Sequence, residues 1–188
     1  MIDKLVLDLD GCLADFVTEF TGMAAADGYC HPADTHWTCW DYPISVWGMP
    51  KQVFKLYMDL FARDGRYRNL RLLEPDAAVL LGRLPRSVKV LVLTSRPSSV
   101  YTDTESWLRI HGMDRYVDEL IVTSRPKADV LPSWANTLVW EDNLDNVHTL
   151  RDAGAKVIMR PQPWNVGPRP YSNLGLLADV VSVVRSWN

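Results

Sequence analysis

The sequence predicts an α/β fold: a Rossmann-like three-layer αβα sandwich with a parallel sheet, and a small, mainly helical cap inserted after the first strand. Three observations predict it. Short apolar runs of strand length alternate with helical periods from residue 88 onward, the pattern of a parallel sheet covered by helices on both faces. Four of the strand-length runs end in polar clusters, and in such folds ligands bind along the edge where strand C-termini gather. An irregular, aromatic-rich stretch interrupts the chain between the first strand and the regular part.

Lys4–Asp8 is the first strand, an apolar run too short for a helix. Leu13–Ala26 has helical spacing, with Gly28 as its stop. Residues 29–50 contain Pro32, Pro43 and Pro50 among Trp37, Trp40, Tyr42 and Trp47, and read as irregular. Lys51–Arg63 is an amphipathic helix with Val53, Phe54, Tyr57, Leu60 and Phe61 on one stripe. Pro75–Leu84 is a helix that starts at proline, whose fixed φ suits the first turn. Strands follow at Val88–Leu93, Glu119–Val122, Thr137–Trp140 and Lys156–Met159. The helices between and after them are Ser98–His111 (closed by Gly112), Leu144–Ala153 (closed by Gly154) and Leu174–Ser186. The domain expectation is a catalytic core of residues 1–16 and 73–188, with residues 17–72 as the cap.

Composition narrows the function classes. The chain has 188 residues, enough for one core and a modest insertion. A net charge of −3 and a pI near 5.8 argue against an extended nucleic-acid surface. No run approaches the roughly 20 apolar residues of a membrane span, and the start, Met-Ile-Asp-Lys, lacks the regions of a signal peptide. Three cysteines, an odd count, fit a reducing cytoplasm better than a disulfide framework.

The chemistry lies at the strand ends. Asp8-Leu9-Asp10-Gly11-Cys12-Leu13-Ala14-Asp15 follows Leu5-Val6-Leu7. Residues i and i+2 of a strand face the same side, so Asp8 and Asp10 repel unless a cation lies between them or one holds a proton. The other ends are Thr94-Ser95-Arg96-Pro97, Ser124-Arg125-Pro126-Lys127 and Glu141-Asp142-Asn143. Hydroxyls and Lys or Arg suit phosphate oxygens, and clustered carboxylates suit Mg²⁺. A P-loop signature is missing from the sequence.

In all four motifs, and in their order, the chain resembles the haloacid-dehalogenase-like phosphohydrolases. Within them it looks most like the 5'(3')-deoxyribonucleotidases and their bacterial and phage relatives, through residues 8–16, Thr94–Pro97, the short cap and Gln162-Pro163-Trp164-Asn165. The resemblance implies a phosphomonoesterase acting on nucleoside or deoxynucleoside monophosphates. Asp8 would be the nucleophile that forms an aspartyl-phosphate, and Asp10 the acid and then the base. Thr94 and Lys127 would bind phosphoryl oxygens. Mg²⁺ would be held by Asp8, the backbone carbonyl of Asp10, and Asp142. Phe16 would stack on the base, Ser95 and Arg125 would assist substrate binding, and cap aromatics, with Trp40 and Trp47 foremost, would complete the pocket. A homodimer is the assembly the resemblance implies. Glu141 departs from the usual pair of aspartates in the fourth motif.

Other readings stand beside this one. The same fold and chemistry would serve another small phosphometabolite or a nucleic-acid 3'-phosphate end; a non-catalytic phosphate-binding module would not need Asp8, Asp10, Thr94, Lys127 and Asp142 together. Phe16 also fits as plain core between layers. Asp15 reads as a helix-start acid rather than a ligand. Cys30, His31, His36 and Cys39 have the types of a structural zinc site, but their spacing matches no standard finger, and free thiols with surface histidines are the simpler reading.

Overall fold

The computed structural model describes residues 1–165 and 175–188. Among them, five parallel strands form one sheet: β1 (Lys4–Leu7), β2 (Lys89–Thr94), β3 (Glu119–Val122), β4 (Thr137–Glu141) and β5 (Lys156–Met159). The order across the sheet is β3-β2-β1-β4-β5. β1 is central and pairs with both β2 and β4, with Leu7 opposite Val92 on one side and Trp140 on the other. That register sets Asp8 in mid-rim, level with the ends of its neighbours. The fold class is the expected one.

Side chains alternate between two apolar layers, as the pleat requires. Leu5, Leu7, Val90, Val92, Leu138, Trp140 and Ile158 face one layer. Its helices are α4 (Ala77–Leu81), α5 (Tyr101–Ile110) and α7 (Leu177–Trp187). Val6, Leu91, Leu93, Val139, Val157 and Met159 face the other, where Val147 and Leu150 of α6 (Leu144–Asp152) cover them. No helix of the described residues is long and apolar enough to cross a membrane.

Several boundaries move. The first helix, α1, is Phe16–Ala26 rather than Leu13–Ala26. The reason is local: the Leu9 carbonyl accepts from the N–H groups of Cys12, Leu13 and Ala14 at 3.1, 2.7 and 2.8 Å, which folds those residues into a tight turn. Gly11 makes the turn possible at φ +82°. Asp15 then caps α1 by accepting from the Thr18 N–H at 3.2 Å. The expected helix from Ser98 splits into a 3₁₀ turn, Ser98–Val100, and α5. α4 is shorter than Pro75–Leu84. The expected start of the last helix, Leu174, lies outside the described residues.

The inserted segment contains α1, α2 (Tyr42–Ser45), α3 (Lys51–Arg63) and a 3₁₀ turn at Arg66–Asn69. The chain leaves and re-enters the core side by side. Ala14 and Leu72 form an antiparallel bridge, flanked by Asp15 N–H to Arg71 carbonyl (2.9 Å) and Leu73 N–H to Leu13 carbonyl (2.7 Å). Inside the insertion the packing is aromatic. Phe16, Phe20, Trp37, Tyr57, Phe61 and Tyr67 are buried and in ring contact.

Candidate active site

Lys127 opens a 3₁₀ turn, Lys127–Asp129, shortly after β3. The turn carries its ammonium under the rim, where the side chain is 3 % exposed. It donates to Asp8 Oδ1 at 2.6 Å and to Glu141 Oε2 at 2.7 Å. The other Glu141 oxygen accepts from the Asn143 N–H at 3.0 Å, and the Asn143 side chain caps α6. Glu141 thus ties the lysine to the start of a helix. Burial, then the charge of Glu141, push the Asp8 carboxyl up to about 7 against the pull of Lys127. Burial alone would lower Lys127; Asp8 and Glu141 outweigh it and hold the lysine above its ordinary range, fully charged. Burial, followed by Asp8 and Glu141, likewise raises Asp142 well above the usual carboxylate range.

Asp10 has a different partner. Its two oxygens accept from Arg96 Nε at 2.9 Å and Nη2 at 2.7 Å, a bidentate pair. Arg96 is buried, donates through Nη1 to Thr104 Oγ1 at 3.2 Å, and lies 4.7 Å from the centre of the Tyr67 ring. Thr94 is buried at the end of β2, and its hydroxyl accepts from the Arg96 N–H at 3.3 Å. The Arg96 side chain therefore orients the second aspartate, while its backbone N–H orients the threonine.

These groups share a cavity of about 270 Å³. Asp8, Asp10, Thr94, Lys127 and Asp142 form its polar floor, with Ser95 at its rim, and Phe16, Trp40, Met58 and Tyr67 form an apolar wall. Trp40 is 42 % exposed and stacks on Phe16 with ring centres 5.9 Å apart. Phe16 is 3 % exposed, as a packing residue is, and it also lines the cavity.

Two residues expected at the site lie elsewhere. Arg125 does not line this cavity; its guanidinium turns back to the Asp129 carbonyl of its own loop at 2.6 Å. Trp47 also stays outside it. Its indole N–H donates to Asp34 at 2.5 Å and its ring packs on Trp37 and Tyr42, so it belongs to the interior of the insertion. The four zinc candidates do not converge. Cys30 donates to the Thr21 carbonyl, Cys39 pairs with Ser45, and His31 accepts from the Ala33 N–H; all three cysteines are free.

Arg96 stands within the second motif, but nothing in the sequence assigns it a role. A lone arginine after a strand carries no sign of which carboxylate it meets. Tyr67 and Met58 arrive from the far end of the insertion, and nothing local marks them.

The rim suits a divalent cation. Asp8, Glu141 and Asp142 are buried carboxylates, with Lys127 as the cation among them and Asp10 neutralised separately by Arg96. One oxygen each from Asp8 and Asp142 and the Cys12 sulfur lie within 4.8 Å of one another. Hard carboxylate oxygens carrying uncompensated charge are the donors Mg²⁺ prefers. A glycine must stand at position 11, since a Cβ there would come within 2.3 Å of Asp142 Oδ2.

Known proteins share the fold. L-2-haloacid dehalogenase from Xanthobacter autotrophicus superposes with a TM-score of 0.64 at 17 % identity, covering 100 % of each chain. A haloacid-dehalogenase-superfamily hydrolase from Geobacter sulfurreducens gives 0.64 at 16 %, covering 97 % of this chain and 96 % of its own. CbbY from Rhodobacter sphaeroides, solved with phosphate, gives 0.61 at 16 %, covering 96 % of both. At such identities the likeness is one of fold. No curated relative matches the chain in sequence. The family described as 5' nucleotidase, deoxy (pyrimidine), cytosolic type C protein matches residues 1–167. The chain belongs to that family, within the haloacid-dehalogenase-like hydrolases, and is a hydrolase of phosphoric monoesters.

Proposed function

We propose that the protein is a Mg²⁺-dependent phosphatase of nucleoside and deoxynucleoside monophosphates, working through an aspartyl-phosphate on Asp8. The observation that carries this reading is the join of two surfaces in one cavity: a buried Asp8–Lys127–Glu141 cluster at its floor and a Phe16–Trp40–Tyr67 wall above. The floor has groups for a phosphoryl centre, and the wall has flat apolar faces for a base. Residues 1–16 and 73–188 are the proposed core and residues 17–72 the cap; the Ala14–Leu72 bridge at their junction supports that division.

An Asp8 carboxylate oxygen attacks phosphorus in line, and the leaving alcohol oxygen takes a proton from Asp10. Water then attacks the aspartyl-phosphate; Asp10 accepts its proton, and Asp8 and inorganic phosphate are released. Lys127 donates to Asp8 and stands close enough to meet a phosphoryl oxygen, and the Thr94 hydroxyl adds a second donor. Both Asp10 oxygens accept from Arg96, so donation to the leaving group requires one of those contacts to be released. Asp8, the Asp10 carbonyl and Asp142 would hold Mg²⁺, which supplies charge neutralisation for an anionic substrate beside carboxylates. Ser95, at the rim, is a proposed substrate contact. Three free thiols fit the reducing cytoplasm as the place of action, and a homodimer is the assembly the resemblance implies.

Phosphate release from a panel of 5'- and 3'-nucleotides and sugar phosphates, with Mg²⁺ and with EDTA, tests the proposal. Nucleotides should lead the panel and EDTA should stop release. Release from sugar phosphates alone would overturn the substrate class, and full activity in EDTA would overturn the metal.

A further inference from the structure

The strand β5 ends at Met159, and the chain then turns back across the rim through Gln162-Pro163-Trp164-Asn165. This turn donates no group to the cavity floor. Three of its four side chains nonetheless reach the two loops that carry the proposed metal ligands. Gln162 Nε2 donates to the Gly11 carbonyl at 2.5 Å. Trp164 Nε1 donates to Asp142 Oδ2 at 2.9 Å. Asn165, 2 % exposed, donates through Nδ2 to the Asp142 carbonyl at 2.7 Å and to the Arg160 carbonyl at 2.8 Å. The turn is braced by its own contacts, Asn165 N–H to Gln162 carbonyl and Gln162 N–H to Asn165 Oδ1, both 3.0 Å.

The contacts converge on one carboxylate. A Cβ on Gly11 would come within 2.3 Å of Asp142 Oδ2 and 3.0 Å of the Trp164 ring, so glycine, aspartate and indole are in mutual close packing. The indole N–H takes one Asp142 oxygen, and an oxygen of that carboxylate lies within 4.8 Å of an oxygen of Asp8, the other proposed carboxylate ligand. Trp164 also meets the cap: Trp40 packs edge-on against it, with ring centres 5.7 Å apart.

We propose that the Gln162–Asn165 turn is the positioning element of the metal site, with Trp164 holding the Asp142 carboxylate and Gln162 holding the Gly11 loop in the arrangement that accepts Mg²⁺. The proposal rests on the Mg²⁺ reading above. Groups that orient a metal ligand from behind commonly change metal affinity about 10- to 100-fold when removed. Trp164→Phe keeps an aromatic ring at this position and removes the N–H donor together with part of the ring surface that packs on Gly11, which is why stability in EDTA is read alongside.

The test is Mg²⁺ binding by calorimetry, with thermal unfolding in EDTA alongside. Trp164→Phe should weaken Mg²⁺ binding about tenfold while its Tm in EDTA stays within about 2 °C of the wild type. Equal affinity in variant and wild type would overturn the role of the turn and leave the Mg²⁺ reading standing. A wild type that takes up no Mg²⁺ would overturn both. Should Trp164→Phe lose stability in EDTA, Gln162→Ala decides: Mg²⁺ binding weakened about threefold, the size of one lost hydrogen bond, supports the proposal, and unchanged binding overturns it.

Discussion

The sheet rim and the inserted segment are built on opposite principles. At the rim each charged group is held by a polar partner: Lys127 between Asp8 and Glu141, Arg96 on Asp10, the indole of Trp164 on Asp142. Asp8, Arg96 and Asp142 follow β1, β2 and β4, which are paired on both sides, while Lys127 and Trp164 follow the edge strands β3 and β5. The segment 17–72 contributes rings instead; Tyr57 to Asp27 and Trp47 to Asp34 tie it to itself, while Trp107 to the Leu70 carbonyl and Arg71 to Asp15 tie its end to the rest of the chain. Only at Trp40, Met58 and Tyr67 does it line the cavity, beside Phe16, the residue just before it. Paired charge is supplied at the strand ends, and flat apolar area by the insertion. This is how a fixed phosphoryl chemistry is combined with a separately adjustable substrate face.

The comparison can be broken most directly at the rim. Asp8→Asn keeps size and hydrogen-bonding capacity but removes the attacking carboxylate. Turnover should fall on the order of 10⁴-fold or more, with circular dichroism unchanged; retained turnover would show that the rim is not the reacting centre.

A smaller effect is expected from the cap. Trp40→Ala removes a half-exposed stacking face and should raise KM for nucleotides about tenfold, the size of one lost base–aromatic contact, with kcat for a small aryl phosphate unchanged. Trp47→Phe, by contrast, should leave KM within about twofold, because its ring serves the cap interior. Equal KM changes in the two variants would erase the distinction between lining and packing residues.

The smallest effect is on stability. Asp8, raised to about 7, and Asp142, raised well above the usual carboxylate range by burial and by Asp8 and Glu141, hold protons in the folded state that the unfolded chain gives up. Their stabilising contribution is complete below ordinary carboxylate values and is lost as pH rises through about 7. Lys127, raised, stays charged throughout and does not offset this. In EDTA, Tm should therefore fall by a few degrees between pH 5 and 8, and Mg²⁺ should remove most of that decline. A Tm that is flat or rising in EDTA would show that the buried carboxylates are not short of positive charge.

Much of the rim is legible in the sequence. Leu5-Val6-Leu7 before Asp8 and Val90–Leu93 before Thr94 are apolar runs followed by chemistry, and a parallel sheet gathers their ends. Cap residues were harder. Trp40 and Trp47 have the same type, sit seven positions apart and share an irregular stretch, yet one faces the cavity and the other Asp34. Arg125 stands two residues before Lys127, and only the lysine reaches the rim, because the 3₁₀ turn that begins there points it inward.

The sequence by itself determined the period of the sheet, the order of its motifs and the residue types at the strand ends, because these depend on local alternation and on the few ways a parallel sheet can be wound. Tertiary structure alone decided the pairings. Arg96 with Asp10 spans 86 positions, Lys127 with Asp8 spans 119, and Gln162 with Gly11 spans 151. Contacts at such separations leave no local trace, since what joins them is the packing of strands and loops distant in the chain.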